Sequence, residues 1–467
     1  MSAQRHTTTS QAGSHHLPPT PSLLQTIGPS FILVGLAMGS GELILWPYLV
    51  SQWGLGIIWG GLMGITFQYF LNTEVMRYTL AWGESVFVGF KKLNRLIPLW
   101  YVLSTYIPWS IPGLAVSSGV VLATAAGVPT YSSFFTIGLL VLSGVILTAG
   151  KSLQTTMELF QRTAITVALA LVGYLVWQLA QPADVVTLAQ GFVGQGDGYW
   201  FIPQGIAMAS FLGAFAYSGA GGNLNLAQSY YIKEKGFGMG AHAAKITSIL
   251  YGGTKTVKLE GETFAQTPLN QKRWQQWWKL ICTEHALVFW GLGLVLIGLL
   301  SLLAYVTVGG QSNPSGLSFL FHEAEVIGER LSPLLARLFL FVGGAMLFAT
   351  QVGVYESSSR IISENILLLT HKSGSKVNAS KWFYGALWAQ IGAGILVYTL
   401  GIREPRALLT LGATLNAMAM FVSFGLLLWL NTTKLHKVQR PQWPRRLIIA
   451  AALAFFGYFI GVTVGLL

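Results

Sequence analysis

Charge is what this sequence lacks. Only 9% of its 467 residues are Asp, Glu, Lys or Arg, where a water-soluble globular domain carries roughly 25%, and this deficit excludes most soluble enzymes. Cysteine is as scarce. Cys282 stands alone, so no intrachain disulfide can form, and no Cys/His cluster has the spacing of a structural zinc site. A Walker phosphate loop, a Ser/His/Asp set and any other catalytic constellation are also missing from the apolar stretches, so neither an enzyme nor a cofactor is expected. The start of the chain has no signal-peptide core. Residues 1–22 are rich in Ser, Thr, His, Gln and Pro and read as a disordered tail, extending to residue 24.

What is present is apolar sequence in long blocks. Hydrophobic residues make up 53% of the chain, with 54 glycines, and the mean hydropathy is +0.57. About 20 apolar residues cross a bilayer as a helix. Blocks of that order run over 25–51, 54–80, 97–125, 131–149, 164–180, 201–230, 284–308, 333–355, 383–400, 407–430 and 446–464. These eleven spans predict a polytopic, all-α integral membrane protein.

The formal charge of +12 is explained by where the charges fall. With the N-terminus in the cytoplasm, all 28 Lys and Arg except Arg330, Arg337, Arg403 and Arg406 lie on the inner side, as the positive-inside rule requires. The partner of this charge is the anionic inner leaflet of the cell membrane, and nucleic acid is not needed. The basic stretch 233–279, which contains Trp274, Trp277 and Trp278, reads in part as an amphipathic segment on that leaflet. The outer loop 309–332, with His322, Glu323, Glu325 and Glu329, reads as a solvated helix that could draw cations to an entrance. Trp46, Tyr48, Trp100, Trp109, Trp200, Trp290 and Tyr305 are assigned to aromatic belts at the span ends.

Two interruptions are more informative than the spans. Gly39-Ser40-Gly41-Glu42 breaks the first block, and Ser218-Gly219-Ala220-Gly221-Gly222-Asn223 breaks the sixth. Glycine weakens a helix by about 1 kcal/mol relative to Ala, and freed backbone at membrane depth is tolerated only where it lines a cavity or is buried in protein. The breaks lie five spans apart. They therefore predict inverted repeats over 25–180 and 201–430, an appended helix at 446–464, and a substrate site where the breaks meet near the midplane.

Gly28-Pro29-Ser30, the interrupted Gly39-Ser40-Gly41-Glu42 and Ser51-Gln52-Trp53-Gly54 resemble the first helix of the Nramp family of proton-coupled divalent-metal transporters. Phe67-Gln68-Tyr69 and Asn223-Leu224-Asn225-Leu226 are similar to family stretches in the second and sixth helices. The resemblance implies a LeuT-type fold of eleven transmembrane helices, a five-plus-five inverted repeat plus one, with helices one and six broken. The departures are specific. Gly39 to Glu42 occupy the positions of the family's Asp-Pro-Gly-Asn, and Ala220-Gly221-Gly222-Asn223 those of Met-Pro-His-Asn. The ligating Asp, the thioether and the His are gone, and with the thioether goes a preference for soft metals.

Glu42 is the most informative side chain, since an ionisable group near the bilayer centre usually marks an ion, proton or substrate pathway. Glu42 and Asn223 are the candidate metal ligands; both offer oxygen, which suits hard cations. The amides of Gly39, Ser40 and Gly41 could instead receive a substrate carboxylate. Asn225, Gln228, Gln351 and Asn416 are candidates for a surrounding shell or for interhelical bonds. Glu74 with Arg77, and Glu356 with Arg360, have the spacing of helical ion pairs that could serve in gating. The expected function is secondary active transport of a small solute by alternating access, with a divalent hard cation as the cargo that the family resemblance implies. The alternatives are an amine, amino acid or other small organic solute as cargo, and a non-transporting sensor of the same fold.

Overall fold

The computed structural model describes residues 15–149, 153–243, 256–310 and 317–463. Residues 1–14 of the expected tail, Lys151, residues 244–255 of the basic stretch and residues 311–316 of the outer loop lie outside the described residues.

Eight described helices are long and apolar enough to cross a membrane by length and composition: Pro29–Trp53, Ile97–Ala125, Pro129–Ala149, Leu153–Leu179, Pro268–Val308, Pro333–Thr370, Pro405–Thr433 and Trp443–Thr463. The three remaining expected spans are also helical. They are Trp59–Trp82, the pair Met208–Ala216 and Gln228–Lys235, and Ala379–Thr399. In chain order these match the eleven apolar blocks. Many begin with proline in the first turn, as in Pro29, Pro98, Pro268, Pro333 and Pro405, where its missing N–H costs nothing.

Several helices outrun the apolar blocks that announced them. The eighth continues to Thr370 and carries Glu356, Arg360 and Glu364 inside the protein, and the fifth begins at Leu153 rather than near 164. Apolarity sets where lipid can touch a helix, whereas ion pairing lets the same helix continue through protein. The third span is two helices, Ile97–Trp109 and Gly113–Ala125, because Pro112 cannot extend the ladder across the junction.

The first span is the axis of the bundle. Of its most apolar window 94% is buried, against 28% for the fourth and eleventh spans, which therefore stand at the rim. Phe134, Val145 and Tyr458 on these two spans, and Trp177, Phe341 and Leu396 on the outer faces of the fifth, eighth and ninth, are exposed apolar side chains, as a lipid-facing surface requires.

Two expectations change at the N-terminal end of the bundle. The tail is anchored from His15 onward: Leu17 is buried, its N–H donates to Asn270 Oδ1 at 3.2 Å, and Trp277 Nε1 donates to the Pro18 carbonyl at 2.9 Å. The aromatic face of 268–285 is thus turned to protein rather than to lipid headgroups. Trp274 and Trp277 are buried against Phe264 and Phe237, and Trp278 lies under the Arg77 guanidinium. On the opposite side, Ser318–Arg330 is a helix as expected, but Glu323 is buried within it rather than solvated. Burial pushes its carboxyl well above the ordinary range.

Candidate functional site

The interruption in the first span takes the form of a π-helical segment, Met38–Leu45, between α-helices Pro29–Ala37 and Trp46–Trp53. A side chain of the eighth span supports the change of pitch. Thr350 Oγ1 accepts from the Gly39 N–H at 2.9 Å and donates to the Gly35 carbonyl at 2.7 Å, standing between a donor and an acceptor that an α-helix would join directly. Gly41 lies against the sixth span so closely that a Cβ there would sit 1.8 Å from the Tyr217 carbonyl oxygen.

The sixth span is broken outright. Met208–Ala216 stops, Gly221 and Gly222 take φ of 75° and 53°, and a 3-10 turn, Gly222–Ala227, leads into Gln228–Lys235. Gln68 of the second span bridges the gap: its Nε2 donates to the Ala216 carbonyl at 3.1 Å, and its Oε1 accepts from the Gly221 N–H at 3.2 Å and from Asn225 Nδ2 at 3.0 Å. Freed backbone groups at this depth need such partners, since each would otherwise cost several kcal/mol (roughly 2–7). Trp46 Nε1 of the first span donates to Ser218 Oγ at 2.8 Å, and Asn416 Nδ2 of the tenth donates to the Tyr217 hydroxyl at 3.0 Å.

Beside this break lies a closed cavity of about 10 Å³, room for one water at most, so it must widen to admit a solute. It is walled by Pro108, Trp109, Tyr217, Gln351, Leu409 and Gly412 among others. The third, sixth, eighth and tenth spans all reach it. The Trp109 and Tyr217 rings stack with centroids 5.7 Å apart and planes 17° off parallel. Trp109 Nε1 is buried without a hydrogen-bond partner among the described residues, as are the neighbouring Ser110 Oγ and, beside Tyr217, Asn416 Oδ1. An apolar wall with a few unspent polar groups is the lining chemistry of a small-molecule site, in a cavity here closed well below the size of one.

The predicted residues divide accordingly. The two breaks touch at Gly41, packed on Tyr217, and at Ser218, bonded by Trp46, whereas Gly39 faces Thr350 of the eighth span, Gly219 faces Gln68 of the second and Gly222 faces Asn416 of the tenth. Ser40 and Ala220 are buried, and Gly221 packs on Tyr217. None of these predicted break residues is among those that wall the cavity. Gln351 faces the cavity, and Asn225 and Asn416 support the break through Gln68 and Tyr217. Gln228 Nε2 donates to Met76 Sδ at 3.5 Å, away from the cavity. The two proposed metal ligands point to different neighbours. Glu42 is fully buried, with neither oxygen hydrogen-bonded among the described residues; its Oε1 is 3.5 Å from where a Gly293 Cβ would stand. Asn223 instead bonds Ser104, Thr105 and Ser423 at 2.8, 2.9 and 3.2 Å. Among the described residues no three His, Cys, Asp or Glu side chains converge on a point.

Glu74 and Glu356 belong to ion networks rather than to the cavity. Glu74 accepts from Arg77, Arg445 and Asn431 at 2.8, 2.8 and 2.9 Å. Arg360 bridges Glu356 to Glu234 of the broken sixth span, and Tyr231 donates to Glu356 at 2.8 Å. Pairs buried this completely are costly to break from one side, at about 3–5 kcal/mol. In the sequence Thr350 and Tyr217 have no assigned role, and Gln68 has none beyond the family-like stretch Phe67-Gln68-Tyr69. Trp109 and Trp46 had been placed in aromatic belts, yet both are buried at the site. The prolines at 108 and 112 were the available signal of a third interruption.

No protein-family model and no curated protein matches the sequence. Solved structures do. A mutant manganese transporter of Eremococcus coleocola aligns over 97% of this chain and 89% of its own, with a TM-score of 0.71 at 11% identity. Mhp1, a nucleobase-cation-symport-1 family transporter in a closed conformation with bromovinylhydantoin bound, aligns over 97% and 96%, with a TM-score of 0.53 at 14% identity. This chain has the LeuT-type fold. The LeuT-type assignment accounts for the paired interruptions five spans apart, and the relation to the manganese transporter is one of structure alone at this identity.

Proposed function

We propose that this protein is a secondary active transporter that moves a small organic solute, coupled to an ion gradient, through the cavity beside the sixth-span break. The observation that carries this reading is the stacked pair Trp109 and Tyr217 next to Gln351, an aromatic wall with hydrogen-bonding capacity where the interrupted third and sixth spans meet the continuous eighth and tenth. Rings of this kind take up the flat or apolar face of a solute, while the Gln351 amide and the Trp109 N–H select its polar edge. The Arg360–Glu356–Glu234 network, tying the lower half of the sixth span to the eighth, would serve as a gate that opens as the halves separate.

A second reading keeps the cation. Both oxygens of Glu42 are buried and unspent among the described residues, and one structural relative is a manganese transporter whereas another binds bromovinylhydantoin, so the fold accommodates either cargo. Glu42 has a poor donor set around it, which weighs against a divalent ion held by protein alone. In this reading the chain also sits in the cell membrane with its N-terminus cytoplasmic, as the distribution of Lys and Arg supports.

Thermal-shift measurements on the purified protein decide between the cargoes. A panel of nucleobases, amino acids and amines is compared with magnesium, manganese and calcium, using Trp109→Ala and Glu42→Gln as controls. The organic reading expects stabilisation by an organic compound that Trp109→Ala abolishes and Glu42→Gln spares. Stabilisation by a divalent ion that Glu42→Gln abolishes would favour the cation, and no response to any organic compound would count against the cavity as the site.

A further inference from the structure

The inner turns of the first and seventh spans hold a second buried polar cluster, remote in sequence from the cavity. Ser30 Oγ lies 2.6 Å from Glu284 Oε2 and 2.7 Å from His285 Nδ1, and all three residues are buried, with His285 and Ser30 fully so. The far atoms of the cluster, Glu284 Oε1 and His285 Nε2, complete no hydrogen bond among the described residues. The imidazole is clamped face to face by Phe289 at 4.6 Å and Tyr69 at 5.6 Å, so its ring cannot turn freely.

We propose that Glu284, Ser30 and His285 form a proton-binding relay that joins the first span to the seventh. One hydroxyl has one proton, and it cannot be given to both neighbours. If Ser30 donates to Glu284 Oε2, the carboxylate is ionised and His285 Nδ1 must carry a proton to donate to Ser30 Oγ. If Ser30 donates to His285 Nδ1, the carboxyl must be protonated to donate to Ser30 Oγ, and the imidazole proton sits on Nε2. The first arrangement with a doubly protonated imidazole and the second arrangement contain the same protons. They interconvert when Nδ1 returns its proton to Ser30 Oγ as Ser30 passes its own to Glu284, with no net change in charge. Loss of one proton from Nε2 in the first arrangement leaves neutral imidazole beside the carboxylate. The cluster therefore binds one exchangeable proton, which enters or leaves at the two unspent ends.

The groups facing this cluster do not supply an alternative home for that proton. Glu158 of the fifth span approaches Gly28 closely but is paired to Lys235 of the sixth span at 2.7 Å and bonded to Gln154 at 2.7 Å. Tyr69 of the second span donates its hydroxyl to the Cys282 carbonyl, and Arg77 and Arg445 are committed to Glu74. Both helices that hold the relay change pitch just beyond it. His285 abuts the π segment Ala286–Leu292, and the helix starting at Pro29 enters the π segment Met38–Leu45 that reaches Gly41 and the sixth span. A change of charge in the relay thus acts on the contact between two helices already wound off the α pitch, one of which borders the break.

The test is infrared difference spectroscopy of the full chain in lipid nanodiscs, titrated between about pH 5 and about pH 8, the range in which an imidazole can change charge. The expected result is a protonated-carboxyl signal and an imidazole signal that change with one shared midpoint. Glu284→Gln should remove the carboxyl component, Ser30→Ala should separate the two midpoints by about tenfold in proton affinity, and Ser30→Thr should bring them back together. A spectrum unchanged by Glu284→Gln, or a shared midpoint that survives Ser30→Ala, would overturn the relay. Should Glu284→Gln fail to fold, the Ser30 pair decides alone, since removing one hydroxyl at a helix start changes little else.

Discussion

The first and sixth spans carry the same kind of sequence, glycine and small residues in the middle of an apolar block, and the chain resolves them in opposite ways. In the first, every residue from Met38 to Leu45 stays helical and only the pitch widens. In the sixth, two successive glycines turn to positive φ and the helix ends. The difference lies in what the neighbours offer. The eighth span supplies one hydroxyl, Thr350, enough to replace a single ladder bond. The second span supplies a whole amide, Gln68, with a donor and an acceptor for both ends of a gap. Glycine content makes a break permissible, and the hydrogen-bonding partner across the interface decides how far it goes.

Substitutions can break this comparison in a graded way. The largest effects belong to the glycines. Gly222→Ala would put a Cβ 1.9 Å from Asn416 Oδ1 in a left-handed conformation, and Gly41→Ala would strike the Tyr217 backbone. Each should cost more than about 2 kcal/mol, and both variants are expected to lose most folded protein in size-exclusion profiles of detergent extracts. Normal yield and melting temperature in either would mean that the first and sixth spans are packed more loosely than this geometry.

Gln68→Leu comes next. It leaves the Ala216 carbonyl and the Gly221 N–H without their partner, at about 1–3 kcal/mol for each buried group, so a clear fall in melting temperature is expected, together with loss of transport. Thr350→Val should be milder, about 1 kcal/mol, because the first span can close its own ladder and return to α pitch. Hydrogen exchange at Gly39 separates the cases: slower exchange in Thr350→Val would indicate that reversion, whereas equal damage from the two variants would erase the distinction between the breaks. The smallest effect is expected from Glu42→Gln. Its oxygens have no hydrogen-bond partner to lose among the described residues, so the melting temperature of the unliganded protein should stay level or rise, and a large fall would show that the carboxylate is structural.

Much of the fold was legible in the chain, and the reason is solvent. Lipid tolerates only apolar surface and satisfied backbone, so span number, order and the positions of the two interruptions follow from hydropathy and glycine alone. Side-chain roles at the site were legible only in part. Gln351 and Asn416 were singled out as polar groups in apolar spans, and they do meet the cavity and Tyr217. Asn223 was singled out on the same grounds and spends its amide on Ser104, Thr105 and Ser423, because a sequence shows that a buried amide needs partners without showing which ones are near.

What the sequence by itself determined is therefore the set of helices, the regions that lipid can touch and the two places where a helix is weak. Only the tertiary structure decided that one weak place becomes a π-turn and the other a gap, that Trp109 stacks on Tyr217 instead of standing in an aromatic belt, and that Ser30 meets Glu284 and His285. The physical reason is range. Hydropathy and glycine act within a single helix, whereas each of these outcomes depends on a hydrogen bond or ring contact between residues more than a hundred positions apart in the chain.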